Sequence, residues 1–188
     1  MIFRETPLKG AFVIDLERRE DSRGFFARTF CQKEFAAHGL KSVIAQANVA
    51  LTRRRGTVRG LHFQIPPAAE TKVVRCTRGG IFDVIVDLRP ESATYLAHFA
   101  IELSEANRSA LYVPERFAHG FQTLEADSET SYLIGEFYSP EHERGLRADD
   151  ARLGVKWPLP IAEMSDKDRA IAPLDSWHER LRREMTRA

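Results

Sequence analysis

The run Arg59-Gly60-Leu61-His62-Phe63-Gln64 carries a cation and a base on what reads as one β-strand. Further polar groups follow at strand positions: Lys72, His119 within Ala118-His119-Gly120-Phe121, Tyr132, and a late Lys167-Asp168 pair. An imidazole titrates near neutrality, which suits proton abstraction at physiological pH. Asp168 behind His62 would hold one tautomer and stabilise the imidazolium, provided that the late loop folds back over the sheet. Lys72, Arg59 and His119 would put positive potential where a carbonyl oxygen becomes an enolate. Tyr132 would return a proton from the opposite side. Two proton carriers facing across a flat enolate are what stereochemical inversion requires.

The faces on which these groups lie decide whether they can cooperate. On regular strands Gln46 and Asn48 share a face, as do His62 and Gln64, and Tyr132 and Glu136. Arg59 and His62 are offset by an odd number of residues, so strict alternation would send them to opposite faces. Gly60 between them is the natural place for a bulge that aims both inward.

Other readings of the same residues stand beside this one. A metal site on a β-barrel would want His-x-His, and here the triplet is His62-Phe63-Gln64, whose second polar group is an amide; no metal is expected. Cys31 and Cys76 lack an activating context, and no serine sits in a Gly-x-Ser-x-Gly turn. A purely architectural reading also accounts for each residue singly. His62 would then be a hydrogen-bonded core histidine, His119 a turn residue, Tyr132 a strand former and Asp168 a solvated loop charge.

The elements that must position these groups are mostly strands. Alternation in His98-Phe99-Ala100-Ile101-Glu102-Leu103 puts Phe99, Ile101 and Leu103 on one face. Ile81 to Leu88 groups Phe82, Val84, Val86 and Leu88 and turns Asp83 and Asp87 the other way. Further strands are predicted over Val43–Ala50, Thr57–Gln64, Lys72–Thr77, Ser109–Val113, His119–Leu124 and Thr130–Tyr138. Pro66-Pro67, Arg78-Gly79-Gly80 and Arg89-Pro90-Glu91-Ser92 are the turns between them. Short strands at this spacing imply an all-β sandwich or barrel in one domain spanning 1–188. Helices are short and peripheral: Gln32 to His38, ended by Gly39, and a C-terminal tail over about 175–188. The tail opens on Ser176-Trp177-His178-Glu179, a capping-box pattern, and stripes Trp177, Leu181 and Met185 along one side.

Composition narrows the partners. Hydrophobic residues make up 43% and charged residues 29% of 188, with a formal net charge of +1, so no whole-molecule field favours nucleic acid. Arg53-Arg54-Arg55 is read as a solvated strand end. No apolar run approaches the roughly 18 residues that span a membrane. Two scattered cysteines and the absence of a secretory apolar segment imply a reducing, cytoplasmic setting.

Together the motifs resemble the dTDP-4-dehydrorhamnose 3,5-epimerase family. The resemblance rests on Asp21-Ser22-Arg23-Gly24-Phe25-Phe26, Gln46-Ala47-Asn48, Val58 to Gln64, Phe82-Asp83-Val84, Val113 to Phe121, Tyr138 to Gly145, Trp157-Pro158 and Ser165 to Asp168. It implies a cupin-type jelly roll that acts as a homodimer without cofactor or metal. The implied reaction is inversion of carbons flanking the ketone of a nucleotide-linked 4-keto-6-deoxyhexose. By matched position His62 resembles the catalytic base, Asp168 its partner and Tyr132 the acid. Lys72 and His119 resemble groups around the sugar ketone. Arg23, Phe26, Gln46, Asn48, Arg59, Glu143 and Lys167 fall on positions associated with the nucleotide-sugar, as does Arg28, where the family usually has glutamate. Leu133 and Ile134 beside Tyr132 also depart from the family pattern, as does Thr71 before Lys72. These departures leave open the nucleotide base and whether one carbon or two are inverted. A metal-dependent cupin enzyme and a non-catalytic sugar-nucleotide-binding module are the alternatives from other classes.

Overall fold

The computed structural model describes residues 1–186. In chain order the elements begin with β1 (Ile2–Glu5), β2 (Phe12–Asp15), β3 (Arg19–Asp21), β4 (Gly24–Phe26), α1 (Gln32–Ala37) and β5 (Gln46–Thr52). Then come β6 (Val58–Gln64), β7 (Lys72–Arg78), β8 (Gly80–Asp87), β9 (His98–Ser104), β10 (Ala110–Val113) and β11 (Phe117–Thr123). The chain finishes with β12 (Ser128–Ile134), β13 (Glu143–Gly145), α2 (Asp166–Arg169) and α3 (His178–Met185).

Two sheets face each other. The larger has the order β1-β2-β10-β7-β12-β5 and the smaller β13-β6-β11-β8-β9, with β3 and β4 forming a separate hairpin. All ladders are antiparallel. This is the double-sheet jelly roll expected from the sequence. Among the described residues no helix is long and apolar enough to cross a membrane.

Alternation explains how the smaller sheet is buried on both sides. Ile81 and Ile85 of β8 point between the sheets, where they meet Val74, Leu111 and Phe121. Val84 and Val86, one residue out of phase, point the other way and meet Leu61, Phe63, Leu174, Leu181 and Met185. The C-terminal segment is therefore a lid on that outer face. Leu181 and Met185 are fully buried, and each contributes about 1.5–3 kcal/mol by leaving water. Trp177 packs at the edge of the same cluster, so the expected stripe is present.

The expected capping box is not. Ser176 belongs to a 3₁₀ turn (Leu174–Ser176), and its hydroxyl donates to the Pro173 carbonyl at 2.7 Å. α3 starts after it, with Trp177 at the N-cap and no side-chain cap. Positions 187 and 188 of the expected tail lie outside the described residues.

α1 follows the expectation closely. Gly39 at φ +70° lets its N–H bond to the Ala36 carbonyl and the Leu40 N–H to the Phe35 carbonyl, which closes the helix. Phe35 is buried by α1 against Ile14, Val73 and Tyr112 on the outer face of the larger sheet. β12 stops earlier than predicted because its partners run out. Ile134 pairs with Gln46 and Lys72, the first residues of both neighbouring strands. Phe137 and Tyr138 lie beyond, 67% and 59% exposed.

Candidate active site

A cavity of about 740 Å³ opens between the two sheets at the β5 edge, within the size range of ligand sites. His62, Lys72, His119, Tyr132 and Asp168 all line it, joined by Arg59, Asn48 and Lys167. A smaller cavity of about 150 Å³ adjoins it, sharing His62 and Lys72, and Gln46 and Glu143 line that one.

The bulge at Gly60 is present and does what the spacing required. β11 pairs His119 with His62 and Phe121 with Arg59, so β6 holds one extra residue between those two rungs. Gly60 has φ +113°, and a Cβ there would sit 2.7 Å from the Gly120 Cα and the His119 carbonyl oxygen. Only glycine fits that approach. The extra residue restores the parity of Arg59 and His62, and both reach the cavity. Arg59 is then fixed by Nε donating to Thr52 Oγ1 at 2.8 Å and by Nη2 donating to the Leu51 carbonyl at 3.3 Å.

The late loop folds back as the sequence reading required. Ser165 caps α2 by accepting the Asp168 N–H at 3.1 Å, which orients the first turn of that helix. Asp168 Oδ1 then lies 2.6 Å from His62 Nε2. Burial alone would push the Asp168 carboxyl up, but the bond from His62, that ring's charge and the Ser165 contact hold it below its ordinary value. An ionised carboxylate can only accept, so Nε2–H is the donor, and in the neutral form of the ring the lone pair lies on Nδ1.

A second histidine–carboxylate pair stands on the next strands. His119 Nε2 lies 2.7 Å from Asp83 Oδ1, with side chains 5% and 0% exposed. Among the described residues Asp83 Oδ2 has no hydrogen-bond partner. The His119 ring meets the Tyr132 ring edge-on, with centroids 6.2 Å apart. Burial, with the Asp83 charge adding to it and Arg59 opposing, pushes the Tyr132 phenol above its ordinary value. Tyr132 belongs to the larger sheet and His62 to the smaller, so the two groups enter the cavity from opposite walls.

Lys72 Nζ donates to the His62 carbonyl at 3.2 Å and lies 3.0 Å from Glu70 Oε1. Glu143 accepts from Lys167 Nζ at 2.6 Å and from the Tyr138 hydroxyl at 2.7 Å. Burial would raise its carboxyl, and these two donors bring it below the usual range. Gln46 Oε1 accepts the Tyr138 N–H at 2.8 Å.

Three of the residues matched to the nucleotide-sugar are not brought to the cavity of their own chain. Arg23 pairs with Asp21 at 2.6 Å on the β3–β4 hairpin, and Phe26 on the same hairpin is 72% exposed. Arg28 pairs with Glu34 of α1 at 2.6 Å. Leu133 also differs from expectation. It packs with the outer cluster around Phe35, and only Ile134 of that pair faces the cavity.

Sequence reasoning missed Asp83 and Glu70. Asp83 carried a readable signal: it alternates in phase with Ile81 and Ile85, so it enters the interior of a strand that is apolar on both faces. Glu70 lies outside any strand, and periodicity could not aim it.

The two opposed sheets and the polar cup between them define a cupin-type jelly-roll enzyme. The family model for dTDP-4-dehydrorhamnose 3,5-epimerase matches residues 5–176. The chain is 43% identical over 169 residues to the dTDP-4-dehydrorhamnose 3,5-epimerase of Sinorhizobium fredii, covering 89% of this chain and 87% of that one. It is 36% identical to the dTDP-4-dehydrorhamnose 3-epimerase of Streptomyces niveus, covering 89% and 81%. A solved structure of dTDP-4-dehydrorhamnose 3,5-epimerase from Bacillus anthracis str. Ames, with TDP and PPi bound, superposes with a TM-score of 0.88. That structure shows 38% identity and covers 92% of this chain and 99% of its own. The chain belongs to the dTDP-4-dehydrorhamnose 3,5-epimerase family, and it is an isomerase of the epimerase type.

Proposed function

We propose that this enzyme inverts C3 and C5 of a dTDP-linked 4-keto-6-deoxyhexose, taking dTDP-4-keto-6-deoxyglucose to dTDP-4-keto-rhamnose. The observation that carries the proposal is the His62–Asp168 pair at 2.6 Å, set in one cavity with a protonated Tyr132 on the facing wall. His62 Nδ1 removes the proton from a carbon flanking the ketone, and Asp168 stabilises the imidazolium. The electron pair moves into the carbonyl, whose oxygen becomes an enolate beside the Lys72 ammonium. Tyr132 then delivers a proton to the opposite face of the same carbon, which inverts it. Arg59 adds positive potential around the ring, and His119, held by Asp83, lines the same cavity. The residues supply both proton carriers and the charge stabilisation, so no step calls for a metal or organic cofactor.

Asn48, Gln46, Glu143 and Lys167 surround the two connected cavities and are assigned to the nucleotide-sugar. The relative from Bacillus anthracis holds TDP, which supports thymidine as the nucleoside. Inversion at one carbon only is the second reading. It is favoured by Ile134, an apolar side chain facing the cavity beside Tyr132, and by the relative named as a 3-epimerase.

The working form is proposed to be a homodimer, acting in the cytoplasm. On the outer face of the larger sheet Val49 and Leu51 are 65% and 45% exposed. Arg75, one strand further in than β12, has two buried guanidinium nitrogens without hydrogen-bond partners among the described residues. Val49 also borders the main cavity, so a second subunit docked on this face would stand at its mouth. That arrangement accounts for Arg23, Phe26 and Arg28, which would act at the cavity of the other subunit.

The test is incubation with dTDP-, CDP- and GDP-linked 4-keto-6-deoxyglucose, with products resolved by NMR. Fastest conversion of the dTDP sugar to the doubly inverted product is expected. A singly inverted end product would establish the second reading, and no inversion of any of the three would contradict the proposal.

A further inference from the structure

We infer that Glu70 is a positioning residue for the reaction and acts through Lys72; the inference rests on the acid–base reading above. Lys72 opens β7 in the larger sheet, yet its ammonium reaches the smaller sheet, where it donates to the carbonyl of His62. Glu70 Oε1 lies 3.0 Å from that same nitrogen. The other oxygen, Oε2, accepts the backbone N–H of Gln64 at 2.9 Å. Both side chains are nearly out of solvent, Lys72 at 12% and Glu70 at 8% exposure.

A lysine ammonium is a point charge with three donors on a flexible stem. In a cavity of this size an unrestrained stem can place that charge in several positions. Here one donor is taken by the His62 carbonyl, and the Glu70 carboxylate stands at ion-pair distance from the same nitrogen, which limits where the ammonium can present its charge to a ligand oxygen. The carboxylate that orients Lys72 is anchored by the backbone of Gln64, on the strand that carries His62. Base and cation are therefore both referenced to β6, which sets their separation before substrate arrives. Pre-set charge of this kind is most effective where negative charge develops during a reaction. The carboxylate also compensates an ammonium that would be costly to bury unpaired.

Glu70→Gln keeps the shape and the acceptor for the Gln64 N–H while removing the charge that holds Lys72. Loss of one stabilising donor costs ~10²–10³-fold in kcat, and Lys72→Met is expected in that range. Glu70→Gln is expected to lower kcat about ten-fold, with KM changed much less, and Glu70→Asp to recover part of the loss. The deciding variant is Lys72→Met/Glu70→Gln, which should turn over no more slowly than Lys72→Met alone, since residues acting as a unit are not additive. A double variant that loses the product of the two single losses would overturn the inference. So would a Glu70→Gln enzyme that melts earlier but keeps the wild-type kcat, which is the behaviour of a structural residue. Wild-type inversion is followed in the same assay: its absence would remove the acid–base reading together with this one, whereas normal wild-type activity with additive losses removes only the role of Glu70.

Discussion

His62 Nε2 and Asp168 Oδ1 lie 2.6 Å apart although their residues are 106 positions apart in the chain. One sits on the central part of a strand and the other on the first turn of a short helix, and the Ser165 cap is what aims that turn at the strand. In the proposed mechanism an ionised Asp168 accepts from Nε2–H and Nδ1 takes up the proton. Asp168→Asn keeps the shape but removes the charge proposed to stabilise the imidazolium. A positioned base contributes ~10²–10⁴-fold, and the variant is expected to lose a large part of that in kcat while KM moves little. Steady-state kinetics on the keto sugar checks this, and an unchanged kcat would exclude the pair from the chemistry.

Tyr132 is held above the ordinary phenol range by burial and by the nearby Asp83 charge. The sign is that of an acid kept protonated, so its proton stays available across neutral and mildly alkaline pH. No alkaline loss of activity from this group is expected below about pH 10, the ordinary phenol value. On the proposed division of roles, Tyr132→Phe should slow net inversion while exchange at the first carbon continues, because removal of the proton is assigned to His62. Mass and NMR of the sugar during turnover separate the two steps. Equal loss of exchange and inversion would contradict the division of roles.

Asp87 gives a stability prediction independent of the site. Its fully buried carboxylate accepts from the Arg89 guanidinium and from the Ser92 and Thr94 hydroxyls. Burial would raise its carboxyl, but these donors hold it below the ordinary value. A depressed carboxyl stabilises the fold at pH above its unfolded value of about 3.9, and the contribution is lost as pH falls through the folded value. Asp87→Asn should therefore cost about 1.5–3 kcal/mol at pH 7, the worth of hydrogen bonds to a charged group. The gap to wild type should narrow on acidification toward pH 3. Thermal melts at the two pH values test it, and a gap independent of pH would contradict the assignment.

Assembly is tested by sedimentation. A homodimer at micromolar concentration is expected for the wild type, and Val49→Asp on the exposed face beside the cavity should shift it toward monomer. Wild type sedimenting as a monomer would contradict the account given for Arg23, Phe26 and Arg28.

Much of this was legible in the residues because alternation and glycine carry geometric information. The strand phases of β8 and β9, the end of α1 at Gly39 and the bulge at Gly60 all follow from steric rules that act locally. The approach of Asp168 to His62 was legible only as a condition, since no local rule says where a loop returns. Asp83 escaped because β8 is buried on both faces, and a carboxylate turned away from one apolar cluster lands in another. Ser176 misled because a capping pattern competes with the 3₁₀ turn that Pro173 starts. The hairpin residues could be matched by motif but not placed, because neither spacing nor period tells which cavity an exposed side chain serves.

The most direct test of the central claim is turnover in D₂O with His62→Asn beside the wild type. The account predicts deuterium at C3 and C5 of the dTDP sugar with wild-type enzyme, and no label at either carbon with His62→Asn. Label entering at the wild-type rate in the His62 variant would contradict His62 as the base, and net inversion by wild type without any label would contradict proton transfer through solvent-exchanging groups altogether.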